Sequence, residues 1–402
     1  MDPVRNPYAP GAGQRPPELA GRDGELTAFD VVLERVARGR PERSLVLTGL
    51  RGVGKTVLLG ALRSAAVRRG WGTGKLEARP DTPLRRQLSA ALHLAVRELG
   101  TGGGVGVDDR DHVLGVLKSF ALRENGPSAK LRERWQPGID VPAVTGRADS
   151  GDVEIDLVEL LTDVAGLAAD RGRGVAVFID EMQDIGPDDV SALCAACHEL
   201  SQQGMPLIVV GAGLPHLPAL LSASKSYSER LFRYARIDRL DRSAADLALR
   251  SPALEEDADW TDDALAAMYD ATAGYPYFVQ AYGKVAWDVA PGSPITADDV
   301  RMAAPEAETE LALGFFGSRY DRATPGEREY LRAMADLEAD AAAPGAPAAV
   351  TTSEVADRLQ RKPQSLSPVR DTLLKKGLVY SAERGQIAFT VPHFGRYLRA
   401  HG

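Results

Sequence analysis

The chain has 402 residues, a formal net charge of −8, 44% hydrophobic and 26% charged residues, and two cysteines. That length predicts two or three domains, and the acidic balance excludes a protein that binds nucleic acid through its whole surface while leaving room for a local basic patch. No apolar run approaches the roughly 20 residues needed to cross a bilayer, and the opening MDPVRNPYAPGAGQRPPELAGRDGEL lacks the apolar core of a secretory signal, so a cytoplasmic protein with no membrane partner is expected.

Pro and Gly in the first 17 residues predict an irregular arm. ELTAFDVVLERVARG (25–39) then spaces Leu26, Phe29, Val32, Leu33 and Val36 as one helical face. RSLVLTGLRGVGKTVLLGALRSAAVRRG runs from an apolar strand through a Gly-rich turn into a second helix. WGTGKLEAR reads as the next strand, and residues 84–100 as an amphipathic helix. Residues 101–150 break the rhythm with TGGGVGVDD and PGIDVPAVTGRADSGD. The segment HVLGVLKSFALR between them is apolar without a clear period, so an insertion containing a small hairpin is expected.

A helix at about 153–171 precedes the strand GVAVFIDE (174–181), a helix carrying CAACH, and the strand PLIVVGAG (206–213). Strand–helix–strand repetition with continuous apolar strands predicts a parallel sheet covered on both faces. Residues 243–320 read as helical.

GLRGVGKT, Gly49 to Thr56, satisfies the G-x-x-x-x-G-K-[ST] pattern between a strand and a helix, the context that pattern requires. Gly49, Gly52, Val53 and Gly54 would wrap backbone N–H groups around phosphates at a helix N-terminus. Lys55 would reach the β- and γ-phosphates of ATP, and Thr56 would bind Mg²⁺. In VAVFIDEMQD, five apolar residues lead to Asp180 at a strand's C-terminal end, where open α/β sheets place ligands. Asp180 would hold Mg²⁺ through water, and adjacent Glu181 would polarise the attacking water.

Phosphate loop, acidic strand end, arginine region and helical lid together resemble the AAA+/STAND division of P-loop ATPases. Within it, ELAGRDGEL, IDEMQ and ATAGYPYFVQ resemble the archaeal-type and origin-recognition initiator-like ATPases over residues of about 18–402. The resemblance implies ATP hydrolysis with Mg²⁺ and assembly of a homo-oligomer with nucleotide at its interfaces. It places Arg22 in the segment lining the adenine pocket; a solvated arginine at a helix start is the plain alternative. In SYSERLFRYARIDRL it places Arg230 where the family carries an arginine finger acting on a neighbour's γ-phosphate, with Arg233 as competitor. Two departures bear on turnover rather than binding. Gly211-Ala212-Gly213 stand where a polar sensor residue is usual, and GYPYF stands where initiators carry a lid arginine.

CAACH (194–198) matches c-type haem attachment and a thiol redox core. It lies, however, in the helix between the acidic strand and the next one, with Leu193, Cys197 and Leu200 on one face and Cys194 beside it. Close helix–sheet packing is the expected role.

TPGEREYLRAMADL reads as a capped helix. TTSEVADRLQRKPQSLSPVRDTLLKKGLVYSAERGQIAFTVPHFGRYLRA then has the order of a winged helix-turn-helix. Val355, Ala356 and Leu359 would bury one helix, and Leu366, Val369, Leu373 and Leu374 the next. Between 361 and 402 eight Lys/Arg face only Asp371 and Glu383, so positive charge is segregated here. Duplex DNA is the expected partner, with Gln364, Ser365, Ser367 and Arg370 at the groove, Lys375 and Lys376 among the basic residues that hold phosphates, and Arg384 at the wing tip. Winged helices also dock proteins, so a STAND-like signalling switch is the alternative. The expected organisation is an arm (1–17), an α/β P-loop core with helices on both faces (18–240, insertion 101–150), an all-α lid (241–320) and a winged helix-turn-helix (321–402).

Overall fold

Strands that are apolar along their whole length cannot face water on either side, and the chain gives each a covered position. The computed structural model describes residues 1–11, 13–80, 82–100, 107–122, 138–341, 349–381, 385–391 and 393–401. Its first part contains α1 (Asp23–Ala37), β1 (Ser44–Thr48), α2 (Lys55–Arg68), β2 (Gly72–Glu77), α3 (Leu84–Gly100), α4 (Val107–Leu122) and α5 (Val153–Ala169). Then come β3 (Val175–Asp180), α6 (Pro187–Gln202), β4 (Leu207–Gly213), α7 (Leu217–Ser224), α8 (Ser228–Leu231) and β5 (Phe232–Arg236). The five strands form one parallel sheet in the order β2-β3-β4-β1-β5.

Alternation along β3 shows how both faces are used. Ala176 and Phe178 pack into one apolar cluster with α1 and α2, whereas Val175, Val177 and Ile179 pack into another with α3, α5 and α6. Both β3 and β4 are buried along their full length. Phe29 of α1 meets Phe178 edge-on at 6.3 Å, fixing the first helix on the sheet.

The hairpin expected within 101–150 is corrected for its described part, because residues 107–122 are helical. Val113, Leu114, Val116, Leu117, Phe120 and Ala121 are all buried. A helix wrapped by apolar neighbours loses the one-sided periodicity that marks surface helices, which is why its sequence shows no period.

The following helices are α9 (Arg242–Glu255), α10 (Asp262–Thr272), α11 (Pro276–Val289) and α12 (Ala297–Glu310), with a π-helical turn over Leu311–Gly317 and the short α13 (Ser318–Tyr320). Side chains at their starts accept from the exposed first-turn N–H groups: Asp241 from Ala244, Thr261 from Ala264, and Thr296 in a reciprocal box with Asp299. The N-terminal arm is irregular apart from one turn at Pro3–Arg5, yet it is anchored to these helices. The Tyr8 hydroxyl donates to the Leu249 carbonyl at 2.5 Å and accepts from Trp260 Nε1 at 2.8 Å.

The last part comprises α14 (Pro325–Ala341), β6 (Val350–Thr351), α15 (Thr352–Arg358), α16 (Pro363–Lys375), β7 (Val379–Tyr380), β8 (Gln386–Phe389) and α17 (Phe394–His401). A three-stranded antiparallel sheet in the order β6-β8-β7 follows the α15–α16 pair, giving a winged helix-turn-helix. Among the described residues no helix is long and apolar enough to cross a membrane.

Candidate nucleotide site

The phosphate loop leaves β1 and enters α2 through two left-handed glycines, Gly52 (φ +85) and Gly54 (φ +90). A side chain at Gly52 would also come within 2.9 Å of the Tyr275 ring. Glycine is therefore required there for both backbone and space. The loop borders a cavity of about 450 Å³ whose walls include Arg22, Gly52, Val53, Gly54, Lys55, Thr56, Asp180 and Glu181. The structure thus brings together the residues singled out in two distant motifs and in the GRDGEL segment; Gly49 sits at the base of the loop. The arm supplies another wall through Ala9, Pro10, Gly11, Gln14 and Pro16, and Tyr277, Phe315 and Arg319 close the far side.

Lys55 is buried, and its ammonium donates to the carbonyls of Gly49 (2.9 Å) and Leu50 (2.8 Å). Burial pushes it down to about 8, opposed by the charges of Glu181 and Asp180. Asp180 is buried at the end of β3 and accepts from the Glu181 N–H at 3.0 Å. The strand ends abruptly there, since Glu181 adopts a left-handed conformation (φ +48). The Glu181 carboxylate accepts from Gln183 Nε2 at 2.6 Å and lies 3.9 Å from the Arg51 guanidinium. Asp184 follows, raised to about 6 by burial and by Glu181.

Arg22 is buried rather than solvated. It donates to the carbonyls of Val53 (3.3 Å) and Asp238 (2.6 Å), so it bridges the phosphate loop to the segment after β5. Desolvation lowers its pKa. Thr56 and Asp180 offer a hydroxyl and a carboxylate to the same cavity, oxygen donors of the kind Mg²⁺ takes. Among the described residues no group of three or more His, Cys, Asp or Glu forms a cage by itself. An ion here would complete its shell with phosphate oxygens and water.

Three features are not visible from the sequence. Gln183 fills the space beside the end of β4: its amide oxygen accepts from Leu214 N at 3.1 Å, and a side chain on Gly213 would come within 2.7 Å of that oxygen. The smallness of Gly211-Ala212-Gly213 is plain in the sequence, but the neighbour that needs the room is not. Arg319 belongs to a stretch that reads only as the end of a helical region. The winged helix also touches the loop itself, because Arg51 N donates to the Thr390 carbonyl at 3.1 Å.

Arg230 and Arg233 lie elsewhere. Arg230 borders a small hollow with Ser44 and Leu207, the first residues of β1 and β4, whereas the phosphate loop follows the last residue of β1. The strands are parallel, so Arg230 sits at the opposite end of the sheet from its own cavity. Both guanidiniums are exposed, with no hydrogen bond or ion pair among the described residues.

In the winged helix, Gln364, Ser365 and Lys375 are exposed on α16, and Ser367 and Arg370 are half-buried. Arg370 pairs with Asp371 at 2.9 Å. Lys376 points inward, to Glu327 Oε2 (2.7 Å) and the Arg322 carbonyl (2.9 Å). Arg384 lies outside the described residues.

Cys194 and Cys197 are free and buried, as packing requires. Burial raises both thiols, Cys197 to about 12. His198 stacks on Tyr227 at 4.5 Å and pairs with Gln202 at 2.9 Å.

Residues 18–210 match the family model described as an AAA ATPase domain, and residues 313–398 match a family described only as a domain of unknown function. No curated protein matches the chain. Among solved structures it is similar to the Walker-type ATPase PABY2304 of Pyrococcus abyssi, at 16% identity and a TM-score of 0.57, covering 96% of this chain and 97% of that one. That likeness concerns the fold. Two further matches, also at 16% identity, score below one half. The Thermotoga maritima RuvB Holliday junction branch migration motor gives 0.46 over 96% and 99% of the two chains. Aeropyrum pernix Orc1, solved with DNA, gives 0.44 over 96% and 94%.

Proposed function

We propose that this chain, whose residues 18–210 are an AAA ATPase domain on an AAA+ P-loop fold, binds and hydrolyses ATP, engages duplex DNA through its winged helix and assembles with nucleotide at subunit interfaces. The observation that carries the reading is the single cavity lined by Lys55, Thr56, Asp180 and Glu181. In this proposal Lys55 releases its own loop's carbonyls for the β- and γ-phosphates, and Arg22 holds the wall beside the base. Mg²⁺ at Thr56 and Asp180 would neutralise phosphate charge. Glu181 takes a proton from the attacking water, oriented for that role by Gln183.

The organisation that goes with this reading is the arm (1–17), core (18–240), lid (241–320) and winged helix (321–402). Assembly is supported by Arg230: its exposed guanidinium lies at the end of the sheet away from its own cavity, so a role at phosphate would be played on another subunit's nucleotide. DNA binding is supported by the excess of basic residues after 361 and by the exposed polar face of α16. One observation favours the alternative, a switch whose winged helix docks a protein. Arg361, Lys376 and Arg396 spend their charge on Glu329, Glu327 and Glu308 within the chain.

The test is nucleotide binding and phosphate release by the full-length protein, with Lys55→Ala and Glu181→Gln alongside. Lys55→Ala should lose nucleotide, and Glu181→Gln should keep ATP while turnover falls by about a hundredfold or more. Wild-type turnover in Glu181→Gln would remove Glu181 from its assigned role.

A further inference from the structure

Four cationic side chains, Arg22, Arg51, Lys55 and Arg319, line one cavity, opposed there by Glu18, Asp180 and Glu181. Lys55 spends its hydrogen bonds on backbone carbonyls. The Nε atoms of Arg51 and Arg319 are both buried and have no hydrogen-bond partner among the described residues. A buried guanidinium N–H without an acceptor is costly, and like charges side by side add to that cost. Burial and then the charge of Arg51 push Arg319 down to about 10. A polyanion entering the cavity would remove both penalties.

The backbone around Arg319 gives its position a consequence. Its guanidinium lies 4.1 Å over the Phe315 ring and donates to the Phe315 carbonyl. Phe315 in turn stacks on Tyr277 at 4.6 Å, and Tyr277 N donates to the Gly52 carbonyl of the phosphate loop at 3.3 Å. These contacts fall in the π-helical turn Leu311–Gly317, an irregularity often found at working sites. On the other side, Phe316 stacks on Phe394 and Tyr397 of α17, and Tyr320 meets Tyr397 edge-on at 6.2 Å. Arg319 therefore stands on the short segment between cavity and winged helix, with aromatic contacts running both ways.

We propose that Arg319 contacts the third phosphate of a bound nucleoside triphosphate and transmits its presence through the π-helical turn to the winged helix. This rests on the nucleotide reading above and adds the residue that distinguishes triphosphate from diphosphate. Lys55 and the loop's N–H groups would grip the inner phosphates in either state. Only the triphosphate would draw Arg319 off the Phe315 carbonyl, moving the segment that carries Phe316 and Tyr320.

The experiment measures ATP and ADP affinities of the full-length protein with Mg²⁺ by calorimetry, in wild type, Arg319→Ala and Arg319→Lys. Arg319→Ala should weaken ATP by about tenfold or more while ADP stays within about twofold, because a charge-assisted hydrogen bond disappears from one complex only. Arg319→Lys, which keeps the charge, should recover part of the ATP affinity. Hydrogen exchange in α14 and α17 should differ between the ATP and ADP states of wild type and coincide in Arg319→Ala. Melting of the nucleotide-free variants checks the fold, and Arg319→Gln makes the same comparison if alanine unfolds the chain. An unchanged ATP-to-ADP ratio, or equal loss for both nucleotides, overturns the role of Arg319 alone. Wild-type protein that binds neither nucleotide overturns the nucleotide reading itself.

Discussion

Arg51 joins two distant parts of the chain: its backbone N–H donates to the Thr390 carbonyl at 3.1 Å, while its guanidinium lies 3.9 Å from the Glu181 carboxylate. The winged helix is thus in register with the loop that would cradle phosphate and with the carboxylate that would activate water. Arg51→Ala should free Glu181 and raise basal turnover at saturating ATP by about two- to fivefold, the scale of a partly exposed ion pair. It should also weaken the response of turnover to duplex DNA. Steady-state phosphate release with and without DNA checks both effects; equal values in variant and wild type would leave Arg51 as loop scaffolding.

Lys55 sets a pH dependence whose sign follows from burial. Its folded-state value, about 8, lies below the ordinary 10.5. Between those values the unfolded chain holds a proton that the nucleotide-free folded chain lacks, so this group makes stability rise with pH across that window. Binding runs the other way, because phosphates need the ammonium. ATP affinity should be flat below about pH 8 and fall above it, by at most about tenfold per pH unit, with proton uptake on binding. Calorimetry in buffers of different ionisation enthalpy measures that uptake directly. No uptake above pH 8 would place Lys55 outside the phosphate contact.

Cys194→Ala with Cys197→Ala tests the packing role of the thiols. Both lie on the buried face of α6, and burial holds their thiolate forms down. The pair should lose roughly 1 kcal/mol or more of stability per deleted buried group, with ATP turnover per folded molecule unchanged. A haem absorption band in wild type, or activity that responds to reductant, would sink the packing assignment.

How much of this site is legible in the sequence depends on whether a residue acts through its neighbours along the chain. The phosphate loop and the Asp180–Glu181 pair are local patterns at strand ends, so their spacing carries their chemistry. Gln183 also lies two residues from Glu181, but its partner Leu214 follows the end of β4, and only the sheet order brings them together. Tyr8 shows the same limit: a Pro- and Gly-rich arm reads as unattached, yet one aromatic ring among Trp260, Trp287 and the Leu249 carbonyl holds it in place. Helix α4 is hidden for the opposite reason, since burial on several sides removes the period that identifies helices.

Arg230 is expected to act across a subunit boundary. Arg230→Ala should lower hydrolysis without weakening ATP binding to the isolated subunit. Mixing it with Lys55→Ala protein should restore some activity, because a mixed interface can pair an intact site with an intact finger. Sedimentation confirms assembly in the mixture, and phosphate release reads the rescue. No rescue at any ratio would point to Arg233, also exposed on this edge, or to a chain that works alone.

The basic residues at the end of α16 should separate into two kinds. Lys375 is exposed with no ion pair among the described residues, whereas Lys376 is held by Glu327, which is almost wholly buried. Lys376→Ala would leave that carboxylate with the Thr324 N–H (2.7 Å) but without its cation, and should destabilise the winged helix by about 1–3 kcal/mol, the scale of a lost hydrogen bond to a charged group. Lys375→Ala should leave stability within about 0.5 kcal/mol, as surface changes do. In DNA binding the order reverses. Arg370→Ala with Lys375→Ala should weaken duplex affinity and reduce the slope of log K against log salt by about two, because each phosphate left without its cation keeps its counterion. Neither change touches the nucleotide cavity, so ATP affinity should hold. Fluorescence anisotropy on labelled duplex at several salt concentrations, with a non-hydrolysable ATP analogue, measures the slope, and thermal melting measures the stability. Binding should also strengthen with the analogue, because subunits joined at nucleotide interfaces present several winged helices along one duplex and linked contacts raise avidity. If the full-length protein in its ATP state binds no duplex even at low salt, the polar face of α16 serves a protein partner instead.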